Sequence, residues 1–342
     1  MSPITRLGDS TYEVDHVYVN ATAAVVGPKE GAGPFHGQFD RVWEDEMNGQ
    51  SNFEQAERAL LENAYQIILE KSHLAWSDID LVVGGDLLDQ LISTDFAGRT
   101  HQRPLLGLFA ACAVFTEGIG LAALLVAGSG PRRTLVSAVS HHFAAERQFR
   151  YPVELGYQRT PTAAWTSTAA GAALITDRPA PIKVHRVTFG RVVDYGGKDP
   201  NDMASAMTPA ALDTIRHHLT ATGQQPDDFD AIFTGDLGDF GLTLLREYGQ
   251  QQGMTFGPEL NDCGRSLYDL ETQDVHNGGS GPGCSASVFA GPLAGRLRRG
   301  EWQNLLLVST GALFSPTTYQ QGESIPCIAH AVEFRREEVP SG

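Results

Sequence analysis

Two cysteines occupy equivalent places in the two halves of the chain, in a setting that suits a reactive thiol. Cys112 ends an apolar run of strand character and begins a helix of small residues. The pattern from Cys112 to Ser137 recurs from Cys284 to Ser309 with one constant offset. A helix N-terminus favours the thiolate and lowers the pKa of a cysteine placed there. Cys112 is therefore a candidate nucleophile, and the alternative is a buried structural cysteine.

A second repeat places a carboxylate after each of two equivalent strands. The segment from Asp78 to Asp86 matches the segment from Asp228 to Asp236, and both end in Gly-Asp. A carboxylate at the end of a strand serves as a base, a ligand or a helix N-cap, of which capping is the commonest role.

Residues 276–283 form a glycine-rich segment that contains His276, Asn277 and Gly279. Such a segment brings backbone amides close to a ligand at the start of a helix. The lysine of a phosphate-binding loop is missing. The segment is therefore a candidate ligand loop, with a tight structural turn as the alternative.

His330 lies on an otherwise apolar strand candidate, where a histidine is usually a core residue. Cys327, three residues earlier, would point to the opposite face of a regular strand. The pair therefore does not predict a metal site, and no metal is expected.

Cationic side chains cluster in one region of an otherwise acidic chain. The cluster comprises His141, His142, Arg147, Arg150 and Arg159. Guanidinium groups pair with carboxylates in a forked geometry, so beside a pocket these arginines indicate an anionic ligand. The alternative is that they pair with Glu146 and Glu154.

The net charge of -16 argues against nucleic acid and against adsorption to an anionic lipid surface. Four cysteines in 342 residues do not form a disulfide framework and fit a reducing compartment. No signal sequence or membrane-spanning run is recognisable. We therefore expect an intracellular protein that other proteins hold at any membrane where it works.

Strand and helix signals alternate along the chain. Strands are predicted at 17–26, 81–83, 105–110, 134–139, 172–175, 182–189, 231–233, 305–310 and 325–334, and helices at 53–68, 87–99, 113–127, 209–222, 241–248 and 285–299. Residues 51–54 have the spacing of a capping box, and residues 141–168 are predicted to be a loop. The alternation indicates an α/β fold with mostly parallel, helix-covered strands.

The repeats predict two duplicated domains, residues 1–178 with Cys112 and residues 179–342, joined at the Pro-Ala-Pro segment 179–181. The offset between the repeats grows after Asp236. An extra stretch is therefore expected between Asp236 and Cys284, for which residues 250–274 are the candidate.

The duplicated halves, the cysteine that heads a helix and the glycine-rich loop at the matching place resemble the thiolase superfamily. The resemblance covers nearly the whole chain. It implies the five-layer αβαβα sandwich of thiolases and ketoacyl synthases, with Cys112 at the position of their nucleophile.

The catalytic partners of that nucleophile are not found at the matching places. Where ketoacyl synthases carry His-Gln-Ala-Asn, residues 234–238 read Thr-Gly-Asp-Leu-Gly. Thiolases carry Gly-His-Pro after an Asn-Gly-Gly, whereas residues 280–284 read Ser-Gly-Pro-Gly-Cys. In the late Cys-x-Gly motif, Cys327 is kept but the glycine is not. Claisen chemistry needs a base or oxyanion donors beside the nucleophile, so no residue is assigned a catalytic role.

A narrower resemblance is to the stage V sporulation protein AD family. It is carried by long segments that thiolases in general lack, at residues 84–96, 140–143, 145–150, 158–165, 274–281 and 325–332. It implies binding of dipicolinic acid (pyridine-2,6-dicarboxylate), free or as its calcium chelate, and loading of this compound into developing endospores. The protein would work at the forespore or spore inner membrane, beside membrane proteins of the same stage V operon.

The sequence therefore predicts a non-catalytic dipicolinate-binding protein with a pocket near Cys112. The other expected ligand-binding residues are Asp86, His276, His330, Arg147, Arg150, Asn277 and Gly279. No cofactor is implied, and calcium enters only with the ligand.

Two alternatives stay open. The first is an acyltransferase or thiolase that carries an acyl group on Cys112. The second is a scaffold with a vestigial pocket that contacts channel subunits through its surface. The superfamily resemblance also implies a homodimer, with residues 134–139 near its two-fold axis.

Overall fold

Small and β-branched residues form the strands of the first half. In the computed structural model, which describes residues 2–150, 156 and 158–338, these strands are β1 (Ile4–Arg6), β2 (Thr11–Val14), β3 (Tyr18–Val26), β4 (Arg41–Val42), β5 (Leu81–Gly85), β6 (Leu105–Gly107), β7 (Arg133–Ser140), β8 (Trp165–Thr166) and β9 (Ala169–Thr176). Within the described residues, five of them form a sheet in the order β3, β9, β7, β5, β6.

The helices of the first half are α1 (Pro28–Gly31), α2 (Phe53–Ser72), α3 (Ile92–His101), α4 (Val114–Ala127) and α5 (His142–Phe149). The long helix α2 begins at Asn52, whose side chain accepts the Gln55 N–H at 2.9 Å. The N-cap residue is therefore Asn52, and the N–H that it accepts belongs to Gln55. Both lie one residue later than in the predicted capping box of residues 51–54. The helix ends at His73 in the left-handed conformation, with a φ of 54°.

The second half repeats this order. Its strands are β10 (Ile182–Phe189), β11 (Ala231–Thr234), β12 (Leu260–Asp262), β13 (Gly279–Ser280), β14 (Asn304–Ala312) and β15 (Cys327–Arg336). Its helices are α6 (Met203–Thr222), α7 (Gly238–Gln251), α8 (Cys263–Leu267), α9 (Pro282–Val288), α10 (Ala294–Arg299) and α11 (Pro316–Gln320). The second sheet runs β12, β11, β14, β15, β10, and β10 meets β3 at the pair Lys183 and Tyr18.

Three hydrophobic clusters show how the layers stack. One packs α2 against the outer face of the first sheet, and another packs α6 and α7 against the outer face of the second. The third lies between the two sheets and contains α4 and α9. Burial on both faces of each sheet explains the continuous apolar strands. The predicted duplicated five-layer α/β sandwich is confirmed.

One glycine permits the central layer to pack closely. A Cβ on Gly171, in the middle of β9, would lie 2.2 Å from the carbonyl carbon of Ala286 in α9. The backbone of α9 therefore rests directly on the strand. This contact fixes the start of α9, and with it the glycine-rich loop of residues 276–283.

Several element predictions need correction. The predicted loop 141–168 contains α5, and α3 begins at Ile92 rather than residue 87 because Asp86 binds the intervening backbone. Helix α6 begins before Pro209, which it accommodates within its first two turns. The predicted insert 250–274 is partly regular, since β12 pairs in parallel with β11 as β6 does with β5. Most of the extra chain therefore follows β12.

A buried ion cluster joins β10, β15 and α6. Glu333 is fully buried, and its carboxylate lies 3.4 Å from Arg186 Nη1, 3.6 Å from His218 Nε2 and 2.9 Å from Arg335 Nε. Burial alone would raise the pKa of this carboxyl. The neighbouring His218, Arg335 and His185 outweigh burial and lower the pKa to about 2.

We expect Glu333→Gln to lower the free energy of unfolding by about 1.5–3 kcal/mol, because it removes a charged partner of Arg186, which then keeps only Glu13 among the described residues. The folded-state pKa lies below the ordinary 4.5, so Glu333 stabilises the fold above pH 4.5 and this contribution is lost as the pH falls towards 2. Urea unfolding at several pH values measures both effects. Glu301→Gln, which removes an exposed pair with Arg299, is the matched control. An equal loss in both variants would contradict the prediction.

Candidate functional site

A pocket opens beside Cys112 at the junction of the two halves. Its walls are mostly apolar, and its polar groups are the Cys112 thiol, the Arg150 guanidinium and the hydroxyls of Thr166 and Ser280. The remaining lining residues are Leu87, Phe109, Ala111, Ala145, Phe149, Met203, Met207, Ala312 and Phe314. An apolar pocket with a few convergent polar groups is the usual form of a small-molecule site.

Cys112 is presented on a tight turn between β6 and α4. The residue before it, Ala111, has a φ of 48°, a left-handed conformation that is uncommon for a residue with a side chain. Gly311 of β14 makes room for the turn, because a Cβ there would lie 2.2 Å from the Ala110 carbonyl oxygen. The second half of the chain therefore holds the cysteine of the first half in place.

The carboxylate of Asp236 lies close enough to the Cys112 thiol to shift its pKa. Asp236 is 2% exposed. Its Oδ1 accepts from Thr310 Oγ1 at 2.6 Å, and its Oδ2 accepts from Ser280 Oγ at 2.9 Å and from the Gly281 N–H at 3.2 Å. These donors come from β14 and from the glycine-rich loop.

This arrangement keeps the thiol protonated. Burial, and next the Asp236 carboxylate, raise the pKa of Cys112 well above its usual range. The predicted lowering of this pKa by the helix N-terminus is therefore wrong in direction. Burial of the thiol, together with the nearby buried carboxylate, outweighs the partial charge of a helix end.

The opposite side of the pocket is charged. Arg150, at the end of α5, donates from Nη1 to Glu146 at 2.5 Å and from Nε to the Pro200 carbonyl at 3.3 Å. Glu146 also accepts from Thr166 Oγ1 at 3.1 Å. The predicted pairing of Arg150 with Glu146 is present, while Glu154 lies outside the described residues.

Of the eight residues predicted to bind ligand, Cys112 and Arg150 line this pocket. Asp86, the counterpart of Asp236, does not reach it. It is fully buried and accepts from the Leu88 N–H and from the N–H and hydroxyl of Thr94. Its contacts are those of a cap at the start of α3, and burial raises its pKa to about 6.

The glycine-rich loop contributes through a different residue from those predicted. Asn277 holds the loop to α7, since its side chain accepts from the Phe240 N–H and donates to the Leu237 carbonyl. His276 points towards Asp274, with Nε2 3.3 Å from Oδ1. Gly279 pairs with Trp165 between β13 and β8. Ser280, the next residue, is the one that lines the pocket.

His330 and Arg147 also lie outside the pocket lining. His330 is 5% exposed, and its Nδ1 accepts from the Gly190 N–H at 3.2 Å. Burial lowers its pKa to about 4, so the ring is a neutral core group. Arg147 lies half-exposed on α5 and pairs with Glu54 of α2.

Sequence reasoning overlooked most of the apolar wall. Met203 and Met207 lie in a part of α6 that was not predicted to be helical, and Phe149 lies on α5 within the predicted loop. The sequence contained one signal for a pocket residue of this kind, the repeat of residues 78–86 at residues 228–236. It drew attention to Asp236 but did not show that Asp236 lies near Cys112.

Among the described residues, no group of three His, Cys, Asp or Glu side chains is placed to hold a metal ion. All helices in the described part of the chain are too short or too polar to cross a bilayer.

The fold is that of the thiolase-like condensing enzymes. The structure is similar to 3-oxoacyl-[acyl-carrier-protein] synthase III from Aquifex aeolicus, with a TM-score of 0.58, 10% identity and coverage of 93% of this chain and 99% of that one. It is also similar to a variant of OleA from Xanthomonas campestris, with a TM-score of 0.61, 12% identity and coverage of 94% and 97%. At these identities the likeness establishes the fold.

Sequence comparison places the chain within that class more narrowly. It belongs to the stage V sporulation protein AD (SpoVAD) family, whose model matches residues 8–335. It is 41% identical over 330 residues to stage V sporulation protein AD of Bacillus subtilis strain 168, covering 96% of this chain and 97% of that protein. The predicted family is therefore confirmed.

We expect Asp236→Asn to make Cys112 more reactive, because the variant keeps the shape of the side chain and removes its charge. The rate of alkylation by iodoacetamide should rise roughly three- to tenfold for each unit by which the thiol pKa falls. Intact-mass kinetics measure the rate, and Cys112→Ser identifies the modified residue. The other three cysteines are fully buried. Asp86→Asn is the matched control, and an unchanged rate in Asp236→Asn would contradict the assignment.

Proposed function

We propose that this protein binds dipicolinate, free or as its calcium chelate, without chemical conversion, and serves the uptake of this compound into developing endospores. The observation that carries the proposal is the pocket itself. It combines apolar and aromatic walls with Arg150 and sits beside a cysteine that burial and Asp236 keep protonated. Membership of the SpoVAD family supports the same ligand.

The pocket chemistry suits a planar aromatic anion. Phe109, Phe149 and Phe314 offer ring faces and edges, and Met203 and Met207 supply soft apolar contacts. One carboxylate would pair with Arg150, whose guanidinium has five N–H donors, of which Nη1 and Nε already have partners. The hydroxyls of Thr166 and Ser280 already donate to Glu146 and Asp236, so Arg150 is the main donor of the pocket to the ligand carboxylates.

The same geometry weighs against acyl transfer. A nucleophilic cysteine is activated by a neighbouring cation that favours its thiolate, whereas the charge near Cys112 is a carboxylate, which disfavours the thiolate. In the described part of the chain, no histidine lines the pocket. The apolar walls are the one feature that would also suit an acyl chain. A covalent acyl adduct after incubation with acyl-CoA, lost in Cys112→Ser, would favour the acyltransferase alternative.

We expect dipicolinate to give a saturable heat of binding by calorimetry, and Arg150→Gln to weaken it about 10- to 100-fold, the range for a lost charged hydrogen bond. Arg147→Gln is the matched control, because Arg147 lies on the same helix, carries the same charge and pairs with Glu54 outside the pocket.

Three outcomes of this experiment separate the possibilities. If Arg150→Gln and Arg147→Gln weaken dipicolinate binding equally, the effect comes from the net charge of the protein and not from a contact in the pocket. The absence of any heat at millimolar dipicolinate, with and without calcium, would overturn the proposal. Pocket variants that no longer bind dipicolinate can also be tested for binding to membrane proteins of the stage V operon. If these variants still bind the membrane proteins as well as the unmodified protein does, the scaffold alternative is favoured.

The proposed homodimer would form through β6. Within the described residues, β6 is the outer strand of the first sheet, and the apolar side chains of Phe96, Leu106 and Phe109 around it are 42%, 40% and 51% exposed. Strand edges of this kind invite pairing with another chain. Strand β7, expected near the two-fold axis as residues 134–139, pairs with β5 and β9 and is not an edge strand.

We expect Leu106→Lys to shift a dimer towards monomer, because a two-fold interface repeats the buried charge on both subunits. Sedimentation equilibrium measures the shift. Val192→Lys, at another apolar position that is 55% exposed, should leave the mass unchanged. A monomeric unmodified protein at micromolar concentration would contradict this interface.

A further inference from the structure

Two cationic residues pack on an aromatic pair that lies next to the pocket residue Thr166. His142 and Trp165 stack with ring centroids 3.5 Å apart and an interplanar angle of 4°. Lys29 Nζ lies 3.4 Å from the centroid of the Trp165 ring, and the Arg159 guanidinium carbon lies 4.9 Å from it. Aromatic faces attract cations, so the indole ring holds both side chains in place.

The two cations share one partner. Lys29 Nζ and Arg159 Nη2 both donate to the backbone carbonyl of Asp274, at 3.0 and 2.9 Å. Arg159 also lies 2.7 Å from the Asp274 carboxylate, which is 76% exposed. Two positive charges therefore face a single carboxylate that water can reach and screen.

The nearby acids do not restore the balance. Burial raises the pKa of Glu30 to about 7 and raises that of Glu46 as well, so both carry less negative charge than surface acids. Burial and the Arg159 charge lower the pKa of Lys29. Among the described residues, the buried Nη1 of Arg159 has no hydrogen-bond partner. A buried N–H without an acceptor is costly.

We propose that Lys29, Arg159 and Trp165 form a second binding site, for a small oxyanion such as a phosphate or carboxylate group. The anion displaces the exposed Asp274 carboxylate, accepts from Lys29 Nζ and fills the vacant donor of Arg159. The site differs from the pocket beside Cys112, whose cation is Arg150.

Trp165 provides the test, because an anion bound between these cations changes the environment of the indole. We expect inorganic phosphate, titrated into the full chain at constant ionic strength, to change tryptophan emission saturably. Trp165→Phe should abolish the change and leave the other three of the four tryptophans unresponsive. Arg159→Gln should weaken binding at least about 10-fold. A parallel titration with acetate shows whether the site prefers phosphate or carboxylate.

Arg178→Gln is the matched control, since Arg178 is an exposed arginine elsewhere on the first half. The proposal would be overturned if the Arg159 and Arg178 variants bound phosphate with equal affinity. It would also be overturned if the tryptophan emission of the unmodified protein did not reach saturation. Lys29→Gln provides the same test if circular dichroism shows that the Arg159 variant is unfolded.

Discussion

The buried carboxylate of Asp236 is the interaction on which the site depends. A carboxylate removed from water must be hydrogen-bonded, and the donors around Asp236 come from separate parts of the chain. Thr310 belongs to β14, and Ser280 and Gly281 belong to the glycine-rich loop. The Cys112 thiol, in the turn before α4, lies close enough for the carboxylate to raise its pKa. The group therefore ties the cysteine of the first half to the strand end and loop of the second.

Burial and this neighbouring carboxylate together keep the thiol protonated. Duplication places an aspartate after the equivalent strand in each half, but the two side chains make different contacts. Asp86 binds Thr94 and Leu88 within its own half, whereas Asp236 reaches across to Cys112. A negative charge in this position disfavours the thiolate, so a fold shared with condensing enzymes presents a neutral cysteine at the base of an apolar pocket.

Local electrostatics run against the overall charge. The chain carries a net charge of -16, yet Arg150 lies on the pocket wall and Lys29 and Arg159 pack on Trp165. Two carboxylates, those of Glu146 and Asp274, pair with these three cations. At ordinary salt, the interaction between exposed charges is largely screened beyond about 10 Å. A small anion near these cations therefore experiences their local attraction more strongly than the repulsion from distant acidic residues.

The sequence by itself determined the α/β class, the duplication, the family and the place of Cys112, because strand and helix periodicity and repeated motifs are local properties. Only the tertiary structure decided which polar groups meet. Asp86 and Asp236 are indistinguishable in their repeats, and Met203, Phe149 and Ser280 lie far apart along the chain. Whether the thiol is activated depends on a contact between residues 112 and 236, and such distances are set by packing rather than by local pattern.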